Sequence, residues 1–166
     1  MKIKIVPIGS SEEKKLRKII LDEWPDRDKF QKDIQEYSKE LEYITQAVIL
    51  FDNEVIGGFY ITNHPKEIKF FKDKIPEVKN KNAVMFEDIV IEPKHRGKGF
   101  GKKLIMYCRK RYLKKFDIIV FSSRMLEVQD FYPKLGAKIL SKTNEKEFND
   151  LYQKEVLKEG TIFMFS

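Results

Sequence analysis

The sequence has few of the residues that build metal centres and disulfide frameworks. Cys108 is the only cysteine in 166 residues, so no internal disulfide can form, and a reducing compartment fits this composition. The two histidines, His64 and His95, are far apart, and neither has a cysteine or a carboxylate cluster around it. We therefore expect no structural zinc and no metal in the functional site.

Long hydrophobic runs are also missing. The apolar stretch AVILF at 47–51 is one of the longest, and it is far too short to cross a bilayer. The N-terminal sequence MKIKIVPI lacks the apolar core of a signal peptide and turns highly charged after it. We expect a cytoplasmic protein with no membrane partner.

What the sequence does have is a basic charge balance and enough apolar residues for a core. Hydrophobic residues make up 42% and charged residues 36%, which predicts one globular domain over residues 1–166. Lys and Arg number 33 against 26 Asp and Glu, giving a net charge of +7. That balance favours an anionic ligand, although most of these cations are expected to be solvated surface side chains.

Hydrophobic periodicity predicts a mixed α/β protein. Apolar alternation and short β-branched runs predict strands at 1–8, 47–51, 55–62, 83–91, 117–121, 137–140 and 161–165. The turn Asp52-Asn53 joins the second and third strands as a hairpin. Helical spacing predicts a helix capped by Ser10 or Ser11, a second through Phe30, Ile34, Tyr37 and Leu41, and others near 68–72, 100–114, 125–135 and 142–159.

The stretch HRGKGFGKK at 95–103 lies between the predicted strand 83–91 and the predicted helix 100–114. The first amides of a helix have no partner within the helix, and glycines before them let a phosphate approach closely. Lysines oppose the positive end of a helix dipole unless a strong anion lies there. We interpret the stretch as an anion-binding loop; a glycine-rich turn with solvated lysines is the alternative.

Two better-known phosphate loops do not fit this stretch. A Walker A loop has four residues between its glycines, whereas Gly97 and Gly101 enclose three, and Lys103 stands where that loop has its hydroxyl. A dinucleotide-binding loop reads G-x-G-x-x-G, whereas this one reads G-x-G-x-G. The spacing therefore speaks against an ATPase, a kinase and a dehydrogenase.

The stretch resembles the GCN5-related N-acetyltransferase family. The family motif is Gln or Arg, two residues, Gly, one residue, then Gly or Ala, and Arg96, Gly99 and Gly101 occupy those positions. The preceding IVIEPKHRGKGFG and the later FYPKLGA at 131–137 are similar to the family as well, so the core resemblance covers 84–140. It implies a central mixed sheet of about six to seven strands flanked by helices, with splayed parallel strands at 83–91 and 117–122.

The resemblance implies acetyl-CoA as co-substrate. Its pyrophosphate is expected on the amides of the glycine loop, the Ile89 N–H is expected to face the acyl carbonyl, and the Ile91 backbone is expected to bond pantetheine. A serine, Ser123, stands near the position where relatives often have Asn. The implied cofactor-binding residues are Ile89, Val90, Ile91, Arg96, Gly97, Lys98, Gly99, Phe100, Gly101, Lys102 and Ser123.

The implied chemistry is attack of an amine on a thioester, for which Tyr132 is the candidate acid and Glu87 the candidate base. Tyr132 matches the family's tyrosine, although a tyrosine that only completes the core is the alternative. Strand alternation places Glu87 with Ile89 and Ile91 and turns Asp88 to the other face. Some relatives carry their glutamate where this chain has Met85, so a water relay to backbone and a plain strand-end charge stay open for Glu87.

The resulting prediction is an N-acetyltransferase that moves an acetyl group to a primary amine by direct attack in a ternary complex. The acceptor is expected to be a small molecule, a polyamine, or a peptide or protein amine, and the protein a monomer or homodimer. One alternative is a basic RNA-binding protein, for which Phe70-Phe71 among lysines is the one suitable stretch. A nucleic-acid partner is not expected. A non-catalytic coenzyme A-binding module is the other alternative.

Overall fold

The computed structural model describes residues 1–123, 130–144 and 159–166. Within them are seven strands and five α-helices. The strands are β1 (Lys2–Val6), β2 (Thr45–Asp52), β3 (Glu54–Thr62), β4 (Ala83–Ile91), β5 (Ile118–Ser123), β6 (Lys138–Asn144) and β7 (Glu159–Phe165). The helices are α1 (Ser11–Glu23), α2 (Asp28–Tyr37), α3 (Pro65–Lys74), α4 (Phe100–Tyr112) and α5 (Phe131–Lys134). None of these helices is long and apolar enough to cross a membrane.

The strands form one mixed sheet in the order β1-β2-β3-β4-β5-β7-β6. β1, β2 and β3 pair antiparallel, as do β5, β7 and β6. β4 and β5 pair parallel, with Ala83–Met85 opposite Ile118–Val120, while β4 continues to Ile91 and β5 to Ser123. The predicted mixed sheet with a parallel central pair is confirmed.

The chain divides into two compact units, each with its own apolar cluster. The first unit comprises Met1–His64 and Phe86–Tyr107, and the second comprises Pro65–Met85 and Cys108–Ser166. The buried cluster of the first unit consists of Val6, Leu16, Ile20, Ile34, Tyr37, Ala47, Ile49, Val55, Tyr60 and Val90. That of the second consists of Ile68, Phe71, Ile75, Val78, Ala83, Met85, Ile118, Val120 and Ile162.

Some predicted helix ends were wrong. α2 ends at Tyr37, so Leu41, which helical spacing had placed on its apolar stripe, is 94% exposed in the following turn. α3 is longer than the predicted 68–72 and begins at Pro65, a residue favoured in the first helical turn. The Ser10 cap is confirmed, because its hydroxyl accepts the N–H of Glu13.

The C-terminal third fits the predictions in part. α5 covers only Phe131–Lys134 of the predicted helix 125–135, and residues 125–129 lie outside the described residues. Of the predicted helix 142–159, the first three residues belong to β6 and the last to β7. The remainder of that prediction lies outside the described residues.

Candidate functional site

The glycine loop links the end of β4 to the start of α4, as predicted. A single 3-10 turn, Pro93–His95, follows β4, and α4 begins at Phe100. Between them, Gly97 and Gly99 have φ angles of +74° and +76°, a region that side chains disfavour. A Cβ atom added to either glycine meets no atom of the described residues within 4 Å. The glycines are therefore required by backbone conformation, and the space beside them is open.

The amides of this loop are available to a ligand. Within residues 1–123, the backbone N–H groups of 97–102 donate to no protein acceptor, and the first to do so is Lys103, which bonds the Gly99 carbonyl at 3.2 Å. The side chains of Lys98, Lys102 and Lys103 are exposed. A run of unpaired amides among exposed ammonium groups at a helix start is a site for a multiply charged anion.

Arg96 fixes the start of the loop. Its Nε donates to the Ile91 carbonyl at 2.8 Å, and its Nη2 donates to the Glu23 carboxylate at 2.6 Å. The first residue of the motif thus connects the last residue of β4 to the last residue of α1. This support for the loop's conformation is a role that the sequence did not suggest for Arg96.

The end of β4 lies close against β3. A Cβ atom on Gly57 of β3 would stand 2.4 Å from the Val90 carbonyl oxygen, closer than any real contact. The Glu92 N–H donates to the Ile56 carbonyl at 2.9 Å, just after β4 ends. Val90 is buried, while Ile89 and Ile91 are half-buried. The three predicted cofactor-binding residues of β4 therefore lie on a tightly held strand.

The predicted alternation of Glu87 and Asp88 is wrong. Asp88 has a φ of +54°, which interrupts the pleat, and both carboxylates approach the guanidinium of Arg27. Arg27 Nη2 donates to Glu87 Oε2 at 3.4 Å, and Arg27 Nε lies 2.7 Å from Asp88 Oδ1. A single cation therefore serves two successive carboxylates of β4.

Tyr132, in the second unit, is buried on α5. Its ring contacts those of Phe121 and Phe163, with centroids 4.8 and 5.1 Å away, and the residue is 4% exposed. Burial raises the pKa of its hydroxyl above the ordinary value of 10.0. The group keeps its proton at neutral pH, as a proton donor must, and the surroundings equally suit a core tyrosine.

The segment FYPKLGA is held by an arginine of α4. Arg109 Nη1 donates to the Leu135 carbonyl at 2.5 Å, and its guanidinium lies over the Phe165 ring at 4.8 Å. Gly136 has a φ of +89°, and a Cβ atom there would stand 3.1 Å from Arg109 Nη1. Ser123, the remaining predicted cofactor residue, is buried on β5 opposite Thr161.

One group of potential metal ligands occurs among the described residues. Ligand atoms of Glu54, Glu92 and His95 lie within 4.8 Å of one another. The ammonium of Lys94 lies 3.3 Å from both the Glu54 and the Glu92 carboxylate, so a cation already occupies this cluster. The arrangement is an ion-pair cluster on the turn before the glycine loop.

Sequence reasoning missed Arg27, which contacts the candidate base Glu87, and Arg109, which contacts the FYPKLGA segment. Arg27 and Arg109 are far in sequence from the groups they bind, and neither stands in a recognisable motif. The chain has 33 lysines and arginines, and the residues next to Arg27 and Arg109 in sequence do not distinguish them from surface arginines.

The similar solved structures are acetyltransferases that share the fold at low sequence identity. An aminoglycoside 6'-acetyltransferase type Ii aligns with a TM-score of 0.67 at 19% identity, covering 100% of this chain and 97% of its own. An acetyltransferase from Elizabethkingia anophelis with acetyl-CoA bound gives 0.66 at 15%, covering 99% and 97%. Arabidopsis thaliana Naa50, in complex with the bisubstrate analogue CoA-Ac-MVNAL, gives 0.66 at 14%, covering 100% and 99%.

The sequence itself carries the family assignment. No curated protein matches it significantly. Residues 13–137 match the family described as acetyltransferase (GNAT) family. This range includes the glycine loop, Glu87 and the whole FYPKLGA segment. The chain therefore belongs to the GNAT family of acetyltransferases and is an acetyl-transferring enzyme.

Proposed function

We propose that this enzyme transfers an acetyl group from acetyl-CoA to a primary amine by direct attack in a ternary complex, with residues 1–166 acting as one catalytic domain. The observation that carries the proposal is the glycine loop. Its amides at 97–102 have no protein acceptor among residues 1–123, and no side chain of the described residues fills the space beside Gly97 and Gly99. An anionic co-substrate with a diphosphate satisfies both features.

In this proposal the glycine loop binds the co-substrate's diphosphate. The amides of Gly97, Lys98, Gly99, Gly101 and Lys102 donate to its oxygens, and the exposed lysines add Coulomb attraction. Phe100 opens α4 beside these amides, and Arg96 holds the loop in place through Ile91 and Glu23. The β4 residues Ile89, Val90 and Ile91 bond the acyl-pantetheine arm through their backbone, and Ser123 contributes a hydroxyl.

The chemistry forms a C–N bond and breaks a C–S bond. The acceptor amine loses a proton to Glu87, directly or through water, because an ordinary alkyl ammonium with a pKa of about 10.4 is not nucleophilic. The Ile89 N–H donates to the oxygen of the tetrahedral intermediate. Tyr132 gives its proton to the departing thiolate, and burial supports this role because it keeps the hydroxyl protonated.

The acceptor in this proposal is a small-molecule or peptide amine. An aminoglycoside acetyltransferase and a protein crystallised with a peptide-bearing bisubstrate analogue share the fold, so the fold itself accommodates both classes. Arg27, which contacts two carboxylates of β4, belongs to the α1–α2 connection, and no sequence motif in that connection specifies an acceptor.

Calorimetric titration with acetyl-CoA, followed by a panel of amines read out as released thiol, tests the proposal. We expect saturable binding at one site and thiol release with one class of amine. Loss of binding in a Gly99→Val variant, with binding retained in Gly9→Val, would place the ligand on the loop. Gly9 is a matched control because it too has a positive φ and open space. The proposal fails if wild-type protein does not bind acetyl-CoA.

A further inference from the structure

Asp88 has an unusual backbone for a residue in the middle of a strand. Among the described residues, only Asn53 and Asp88 combine a side chain with a positive φ. Asn53 lies in the β2–β3 hairpin turn, where such a conformation is common. Asp88 lies within β4, where the left-handed conformation is unfavourable for a residue that carries a side chain. Something in the surrounding structure must therefore hold it.

Two side chains hold the Asp88 carboxylate from both sides. Arg27 Nε lies 2.7 Å from Oδ1, and Gln31 Nε2 donates to Oδ2 at 3.0 Å. The side chain of Asp88 is 7% exposed, so these contacts are largely shielded from water. We call Arg27, Gln31 and Asp88 the strand clamp.

Arg27 stays charged in this setting. Burial favours loss of its proton, but the carboxylates of Asp88 and Glu87 outweigh that effect and raise the pKa of the guanidinium. Its neighbours also include the Phe30 ring at 4.3 Å and the Asp26 carboxylate. The clamp is thus an ion pair with an added amide hydrogen bond.

We propose that Arg27 and Gln31 are positioning residues that hold Asp88 in the left-handed conformation and so orient the N–H of Ile89. The backbone angles of residue 88 set the plane of the 88–89 peptide, and that plane contains the Ile89 N–H. The inference rests on the proposed function, in which this N–H donates to the acyl oxygen. Removing one such donor typically costs about 10²–10³-fold in kcat.

A double-mutant cycle tests this inference. Arg27→Met releases the carboxylate, and we expect kcat to fall about 10–100-fold while KM for acetyl-CoA is unchanged. Asp88→Gly needs no clamp, since glycine adopts a positive φ freely. We expect this variant to keep most of its activity, and Arg27→Met to cost little further in the Asp88→Gly background. Gln31→Leu, a milder release of the same carboxylate, should give a smaller loss of kcat.

Lys32→Met is the matched control. This substitution removes one cation from α2, where Lys32 forms an exposed ion pair with Asp28. It does not change either side chain that contacts the Asp88 carboxylate. Each kcat is calculated per acetyl-CoA-binding site, as measured by titration. Unfolded protein therefore does not lower the value. The inference is overturned if Arg27→Met and Asp88→Gly each lower kcat and the two factors multiply in the double variant. Arg27 would then act through a group other than Asp88.

A crystal structure of Arg27→Met separates this inference from the proposed function. We expect residue 88 to leave the positive-φ region and the 88–89 peptide to rotate. A positive φ retained in that variant overturns the clamp, whatever the activity. Wild-type protein that releases no thiol with any amine overturns the proposed function, and the structure of the variant still decides the clamp.

Discussion

Two glycine-bearing turns of this protein share a backbone conformation and differ in what surrounds them. Gly99, in the loop before α4, has a φ of +76°, and Gly136, in the FYPKLGA segment, has a φ of +89°. A Cβ atom on Gly99 meets nothing within 4 Å in the part of the chain that the structure describes, whereas one on Gly136 lies 3.1 Å from the Arg109 guanidinium. One turn is open to solvent, and the other is closed by a side chain.

The difference separates two uses of glycine. At Gly136 the missing Cβ makes room for a contact within the protein, since Arg109 donates to the neighbouring Leu135 carbonyl. At Gly97 and Gly99 no contact of the described chain uses the room. An open left-handed glycine beside unpaired amides therefore indicates a ligand, whereas a filled one indicates packing.

The largest expected effect is on kcat, and it comes from a substitution in the FYPKLGA segment. Tyr132→Phe should lower kcat by about 10²–10⁴-fold and leave acetyl-CoA affinity unchanged, because only the transferred proton is lost. Burial raises the pKa of this hydroxyl, so the wild-type rate should not fall with increasing pH until above pH 10.0. Thiol release across a pH series measures both.

Tyr112→Phe is the control for that prediction, since Tyr112 is also a buried tyrosine of the second unit. An equal fall in kcat in Tyr112→Phe would mean that removing the hydroxyl of any buried tyrosine in this unit has the same effect. If Tyr132→Phe keeps the wild-type kcat, Tyr132 is a core residue and not the acid.

The next effect is on stability. Gly136→Ala should lower the free energy of unfolding by about 1–2 kcal/mol through its positive φ, and by more where Arg109 must move away. Urea denaturation measures it. Gly9→Ala introduces similar backbone strain but has open space around the new Cβ atom. The additional loss of unfolding free energy in Gly136→Ala therefore measures the crowding by Arg109. Equal losses in the two variants would remove the distinction between a filled and an open turn at Gly136.

A smaller effect is expected on ligand affinity at the open turn. Gly99→Ala should weaken acetyl-CoA binding about tenfold, the equivalent of 1.4 kcal/mol, since the left-handed conformation then carries a penalty. We expect the variant loop to leave the left-handed conformation when no ligand is bound, so the free energy of unfolding should fall less than in Gly136→Ala. Calorimetry and urea denaturation on the same sample separate the two quantities. Unchanged affinity would contradict a ligand role for the loop.

The smallest effect is electrostatic. Lys98→Ala should weaken acetyl-CoA binding only a few-fold, because exposed ion pairs contribute about 0.2–1 kcal/mol. The difference from wild type should vanish near 1 M salt, where the screening length is about 3 Å. Lys32→Ala, which changes an exposed lysine of α2, should bind as wild type at every salt concentration. A Lys98 effect that resists salt would indicate a direct bond.

The sequence predicted the features that depend on local patterns. Apolar alternation located β1, the Ser10 hydroxyl located α1, and the glycine spacing located the loop before α4. These signals are local because a strand's pleat, a helix cap and a left-handed glycine each depend on a few neighbouring residues.

The features that the sequence did not predict depend on distant partners. Asp88 leaves the regular pleat, and its carboxylate bonds Gln31, which is 57 positions away. No pattern within β4 distinguishes it from an alternating residue. Leu41 continued the helical spacing of α2, but periodicity does not fix a helix end, and the chain turns after Tyr37. The roles of Tyr132 and Glu87 stay predictions.

The two neighbouring glycines of β3 set a limit for anyone who wishes to redesign this enzyme. A Cβ atom on Gly57 would stand 2.4 Å from the Val90 carbonyl oxygen, and one on Gly58 would stand 2.3 Å from that of Val48. Mutant libraries aimed at new acceptors should therefore keep positions 57 and 58 constant. Even a methyl group at either position would push adjacent strands apart, including the strand on which the acyl arm is proposed to lie.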